Sequence, residues 1–70
     1  MTFTNTTKLE IIRAAIQLPP ETPVPAARIA RQLEMTTTPE IAEIADLLRR
    51  HGWPNPGRLA QAERMLHQST

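Results

Sequence analysis

The side chains best suited to chemistry lie in one ten-residue stretch, RRHGWPNPGR, at positions 49–58. It carries Arg49, Arg50 and Arg58 together with His51, and it also holds Trp53, the only Trp of the chain. Guanidinium groups bind phosphate and carboxylate oxygens through charge-assisted, often paired, hydrogen bonds. The stretch therefore predicts either a surface that contacts acidic groups or a corner that packs Trp53 into a core. Because a large aromatic ring buries much area, we expect Trp53 to close the core.

The charge of the chain changes sign along its length. Residues 34–46 contain four acidic residues and no basic one, namely Glu34, Glu40, Glu43 and Asp46, whereas residues 47–70 have a net charge of +3. The whole chain has a net charge of only +1. Any contact with nucleic acid would therefore need a local basic patch rather than a general excess of positive charge.

No set of residues has the spacing of a catalytic or metal site. His51 and His67 are sixteen positions apart in a chain without Cys, and zinc needs more ligands at closer spacing. Ser69, the only Ser, lies next to the last residue. Glu40 and Glu43 share a helix face, but nothing implies a cavity around them. We expect no enzyme activity, metal or cofactor, and we expect His51 to complement the dipole at a helix C-terminus.

Length and composition predict a single small domain, residues 1–70, in the cytoplasm. Seventy residues suit one domain with a thin margin of stability. Without Cys the chain forms no disulfide, which fits a reducing compartment. Its apolar runs are far shorter than the ~20 residues of a membrane span, and the N-terminus has no secretion signal. We expect no membrane partner, and burial in a homodimer could support so small a core.

The elements that position these residues are helices separated by prolines. The seven prolines fall between segments of helical periodicity, as expected for a residue without an amide donor. The pattern predicts an all-α fold, a small four-helix domain with helices at about 7–17, 25–34, 38–51 and 56–67. The predicted inner faces consist of Leu9, Ile12, Ala15 and Ile16; Ala26, Ile29, Ala30 and Leu33; Ile41, Ile44, Ala45 and Leu48; and Leu59, Ala62 and Leu66, with Met65 a further candidate.

Helix ends carry their own signals. Thr7 with Glu10 has the form of a capping box for the first helix. The third helix begins either with Thr38 as its cap or with Thr37 paired to Glu40 in a capping box. The other signals are Gly52 at the end of the third helix, and Asn55 with Pro56 at the start of the fourth.

Residues 28–53, RIARQLEMTTTPEIAEIADLLRRHGW, resemble a helix-turn-helix unit. The matching positions are Ile29-Ala30, Leu33, Met35-Thr36, Ile41, Ile44 and Leu48, with Glu34 where the standard turn has Gly. The ending LLRRHGW is similar to the close of the recognition helix in winged-helix domains of phage and plasmid replication proteins. The resemblance implies a DNA-binding domain whose second helix enters the major groove, whereas a plain pair of packed helices gives the same pattern.

Residues 44–66 also resemble a SAP-type helix-extended-loop-helix module. The matching positions are Ile44, Leu48, Gly52-Trp53, Gly57, Arg64 and Leu66. This resemblance implies that the loop and the start of its second helix face the DNA backbone. Arg49, Arg50, His51 and Arg58 would then lie near phosphates, with the amides of the helix N-terminus behind them.

Two hypotheses of different classes follow. In the first, the protein is a small DNA-binding or transcription-regulatory protein whose phosphate contacts are Arg28, Arg31, Arg49, Arg50 and Arg58. In the second, it is a helical interaction module, an adaptor or inhibitor, that binds a basic protein through Glu40, Glu43 and Asp46. The acidic side chains on the early turns of the third helix motivate the second hypothesis, because phosphates would repel them.

Overall fold

The structure is a computed structural model that describes residues 3–19, 21–23 and 25–69. It contains four helices, α1 (Asn5–Ile16), α2 (Pro25–Gln32), α3 (Thr38–Arg50) and α4 (Pro56–Ser69), and these described residues form no strand. The predicted all-α fold is confirmed. Relative to the prediction, α1 begins two residues earlier and α2 ends two residues earlier. Of the seven prolines, Pro20 lies outside the described residues, and each of the others lies in a connection or in the first turn of a helix.

The start of α1 differs from the prediction. Thr4, with an extended backbone, is the N-cap, and its side chain accepts a hydrogen bond from the amide of Thr7 at 3.2 Å. Thr7 therefore lies within the first turn, and the predicted capping box of Thr7 with Glu10 is wrong. Thr4 and Thr7 are both residue types that can cap a helix, and the sequence-based prediction assigned the cap to the later one.

Helix α1 lies at the centre of the molecule and contacts each of the other helices, while the closest pairs are α1 with α4 and α2 with α3. Ile11 and Ile12 are both fully buried, although the predicted stripe contained only Ile12. A helix that packs on neighbours on more than one side buries a wider arc than a single stripe, so Ile11 is buried too. Ile16, which was predicted to be in the core, is only half-buried.

The inner faces of the other helices largely agree with the prediction. Buried residues are Ala26, Ile29 and Ala30 in α2, Ile44, Leu47 and Leu48 in α3, and Leu59 and Ala62 in α4. Leu47 was not predicted. Half-buried residues pack against this cluster, among them Leu33, Met35, Ile41, Ala45, Trp53 and Leu66. Met65 is 62% exposed, so the suggestion that it lies on the inner face is wrong.

Both α2 and α3 end in the same hydrogen-bonded turn, and each turn leads to an N-cap side chain. The turn residues with positive φ are Glu34 at 59° and Gly52 at 101°. Thr37 then caps α3 in a capping box with Glu40, which confirms one of the two predicted starts, and Asn55 caps α4. Over the described ranges, none of the helices combines the length and the apolar character that crossing a membrane requires.

Candidate functional site

The arginines selected from the sequence are all exposed, but they lie on three helices. Arg28 and Arg31 belong to α2, Arg49 and Arg50 form the last turn of α3, and Arg58 lies in the first turn of α4. An i,i+4 ion pair joins Arg50 to Asp46, with 2.8 Å between Nη2 and Oδ2. Within the described parts of the chain, the other four arginines form no ion pair.

The structure brings Arg50 and Arg58 together at the junction of α3 and α4. With His51 and Gln61 they line an open groove of about 250 Å³, whose remaining wall is Ala62 and the exposed Met65. The groove therefore combines two guanidinium groups, an imidazole and an amide, all of which can donate hydrogen bonds. The sequence placed Arg50, His51 and Arg58 near one another, but it gave no indication that Gln61 would join them.

Gly52 determines how Arg58 reaches this groove. Its φ of 101° belongs to the left-handed region, where a side chain is strained. A Cβ on Gly52 would lie only 2.7 Å from Cβ of Arg58 and 2.8 Å from its Cδ. The aliphatic stem of Arg58 thus crosses the bare face of Gly52 on its way to the groove.

The groove is electrostatically positive at His51. Partial burial lowers the pKa of His51 below its ordinary value, and the charges of Arg50 and Lys8 lower it further. Both effects favour the neutral imidazole. His51 is the C-cap of α3, which is the position at a helix C-terminus expected from the sequence, while its lowered pKa disfavours the charged form that interacts best with the helix dipole.

The amides at the start of α4 are not available to a ligand. Oδ1 of Asn55 accepts hydrogen bonds from the amides of Gly57 at 2.9 Å and Arg58 at 3.2 Å. The SAP resemblance implied that these amides would lie behind bound phosphates. In this structure the Asn55 cap already satisfies them, so side chains must supply any anion contact.

Arg49 lies on a second groove, beside Trp53. This groove has a volume of about 230 Å³ and a mostly apolar wall formed by Pro25, Ala26, Ala45, Leu48, Arg49 and Trp53. The Trp53 ring is half-buried and packs against the core. The corner role expected for Trp53 is therefore confirmed, while part of the ring also borders the groove.

The acidic residues of α3 make contacts within the chain. Glu40 Oε1 accepts hydrogen bonds from Oγ1 of Thr37 at 2.7 Å and from its amide at 3.3 Å. Asp46 binds Arg50, and Glu43 is half-buried. On the predicted acidic face, Glu40 therefore takes part in the capping box of α3, and Asp46 pairs with Arg50 at the C-terminal end of the same helix.

A further cluster was not anticipated from the sequence. Nε of Arg13 in α1 binds Oε2 of Glu63 in α4 at 2.7 Å, and both border a third groove with Arg64, His67 and Gln68. Arg13 and Glu63 are fifty positions apart, so no local sequence pattern could reveal the pair. In the portion of the chain that the structure covers, no three His, Asp or Glu side chains are grouped as ligands for a metal ion.

Comparison of the chain with models of protein families, with curated proteins and with solved structures finds no match.

Proposed function

We propose that this protein is a small DNA-binding, regulatory protein of helix-turn-helix type that contacts duplex DNA through arginines. The observation that carries the proposal is the cluster of exposed guanidinium groups where α3 meets α4. Arg49 and Arg50 end α3, and Arg58 lies in the first turn of α4. Arg50 and Arg58 share one groove. Phosphate contacts of this kind supply most of the affinity of a DNA-binding domain.

The geometry between α2 and α3 supports the helix-turn-helix part of the proposal. Glu34, at the position where the standard turn has Gly, has the left-handed φ of 59° that such a turn requires. Leu33 and Met35 on either side of it pack against the core. The connection is therefore a compact corner that holds the two helices against each other.

The charges favour one end of α3 as the side nearest DNA. Glu40 is held by Thr37 at the start of the helix, and Asp46 is held by Arg50. Carboxylates on the early turns repel phosphates, whereas the last turn and the following loop present Arg49, Arg50 and Arg58. We accordingly place the duplex closest to the C-terminal end of α3 and the start of α4.

A basic protein partner bound to Glu40, Glu43 and Asp46 is the rival hypothesis. Such a partner would compete with Thr37 for Glu40, whose contacts form the capping box of α3. These contacts favour DNA as the partner.

Fluorescence anisotropy of a labelled 20-base-pair duplex between 50 and 200 mM salt tests the proposal. We expect binding that weakens as the salt concentration rises. The double variant Arg49→Gln/Arg50→Gln should bind more weakly, with a salt slope smaller by about two, because each phosphate contact contributes about 0.9 to that slope. The surface ion pair lost with Arg50 contributes little to stability, and circular dichroism verifies the fold.

Arg64→Gln is the matched control, because Arg64 is exposed on α4 but borders a different groove. It should bind DNA with nearly the wild-type affinity and salt slope. No binding by the wild-type protein at 50 mM salt, or an unchanged slope in the double variant, would contradict the proposed function.

A further inference from the structure

We infer that the groove lined by Arg50, His51 and Arg58 is a discrete phosphodiester site, and that His51 takes up a proton when the site is occupied. The inference deepens the proposed function and rests on it, since the phosphodiester is that of the DNA backbone. It adds a particular site and a dependence of affinity on pH.

The donors of the groove converge from different parts of the chain. Arg50 comes from α3, His51 from its C-cap, and Arg58 and Gln61 lie one turn apart on α4. The volume of about 250 Å³ is ample for one phosphate group. The two non-bridging oxygens of a phosphodiester can each accept more than one hydrogen bond, so they can use both guanidinium groups and one further donor.

The groove lacks a carboxylate in its lining. Among the described residues, the lining consists of Arg50, His51, Arg58, Gln61, Ala62 and Met65. Asp46 is not part of it, but it binds Arg50 from the previous turn of α3. That pair is exposed at both ends, with 67% and 65% of the side chains accessible. An incoming phosphate can therefore share or replace Asp46 at little cost, because exposed ion pairs are weak.

His51 responds to the charges that face it. Burial, with Arg50 of α3 and Lys8 of α1, lowers its pKa and favours the neutral imidazole in the free protein, and Arg58 of α4 lines the same groove. A phosphodiester brings a negative charge among these cations and accepts a hydrogen bond from the imidazolium. Both effects favour the protonated form.

The sign of the pH dependence follows from linkage. A ligand that raises the pKa of His51 binds together with a proton, so affinity increases as the pH falls through the range between the free and bound values. The phosphodiesters of DNA do not titrate in this range, and among unperturbed side chains only histidine does. A shift of one pKa unit corresponds to a tenfold change in affinity.

Proton NMR of the two imidazoles with and without a 12-base-pair duplex measures the effect directly. We expect the pKa of His51 to rise by about one unit on binding, with the imidazole of His67 as the reference signal. His67 is a suitable reference because it borders the groove that also contains Glu63. An equal rise at both histidines would reflect the general potential of DNA and would contradict a discrete site.

Anisotropy at about pH 6.0 and pH 7.5 provides the second measurement. Wild-type protein and the control His67→Gln should bind the duplex about three- to fivefold more tightly at the lower pH. His51→Gln, which keeps a hydrogen-bond donor but does not titrate, should lose this gain and retain its circular dichroism spectrum. The same gain in His51→Gln would overturn the inference.

Dimethyl phosphate separates this inference from the proposed function. DNA binding whose affinity does not change with pH would contradict the proton uptake and leave the proposed function intact. If dimethyl phosphate raised the pKa of His51 while no duplex bound, the result would support the phosphodiester site and contradict the proposed function. If neither ligand affected His51, the inference would be wrong.

Discussion

Residues 33–37 and 51–55 are two connections of equal length, and both begin with the same hydrogen-bonded turn at the end of a helix. In the first, the Met35 amide donates to the Ala30 carbonyl at 2.7 Å. In the second, the Trp53 amide donates to the Leu48 carbonyl at 2.8 Å. Each bond spans five residues and closes a Schellman motif around a residue of positive φ.

The parallel extends to the residues that follow. Met35 and Trp53 hold the same position after the left-handed residue, and both pack against the core. Thr37 and Asn55 then cap the next helix with their side chains. The same turn thus places the thioether of Met35 against the core in the first connection and the indole of Trp53 in the second.

The two connections differ at the left-handed residue, which is Glu34 in one and Gly52 in the other. Glu34 is exposed, so it bears only the strain of a side chain at positive φ. At Gly52 a side chain would meet both that strain and the stem of Arg58. The comparison shows that the first connection can tolerate a side chain, while the second combines a turn with the positioning of a groove residue.

The largest effect is expected for Gly52→Ala. A φ of 101° and a contact of 2.7 Å with Cβ of Arg58 should together reduce the free energy of unfolding by about 2–3 kcal/mol. Chemical denaturation measures the loss. Gly57→Ala is the control, because Gly57 lies within α4 without positive φ, and its change should stay within about 1 kcal/mol. Equal effects would mean that position 52 has no special requirement.

Removal of the cap in each connection should have an intermediate effect. Thr37→Ala and Asn55→Ala should each reduce the free energy of unfolding by about 1 kcal/mol, because each leaves helix amides without a partner. Thr38→Ala is the control for Thr37, since Thr38 is exposed and is not the cap. A greater loss in Thr38→Ala than in Thr37→Ala, measured by urea unfolding, would contradict this start of α3.

The smallest effect, of opposite sign, is expected for Glu34→Gly. Gly removes the strain of a side chain at positive φ, which stabilises the folded state, but it also increases the conformational entropy of the unfolded chain. The first contribution should be the larger, so the free energy of unfolding should rise by about 0.5–1 kcal/mol. Glu34→Ala separates this effect from loss of the charge, because Ala is strained there as well. Thermal unfolding should show a gain for Gly only, and a similar gain for Ala would point to charge instead.

Local signals were sufficient for most helix boundaries. Pro25, Pro39 and Pro56 lie in the first turns of α2, α3 and α4, where the missing amide donor costs nothing. Thr37 with Glu40 predicted the capping box, and Gly52 predicted the end of α3. Each of these devices acts within five residues, so the sequence contains all of it.

Longer-range features could not be predicted in the same way. Ile11 became fully buried because α1 contacts three helices, and the pair of Arg13 with Glu63 joins residues fifty positions apart. Similarly, Gln61 enters the basic groove only through the orientation of α4 against α3. These features depend on how helices are arranged, and hydrophobic periodicity does not encode that arrangement.

By itself the sequence determined that this chain forms four helices, where most of them begin and end, and which arginines lie near one another along it. Only the tertiary structure decided that Arg50, His51 and Arg58 share a groove, that Gly52 lets the stem of Arg58 pass, and that burial and nearby cations lower the pKa of His51. The physical reason is the distance over which each interaction acts. Caps and prolines act on the backbone beside them, whereas burial and electric potential sum over every residue that folding brings close.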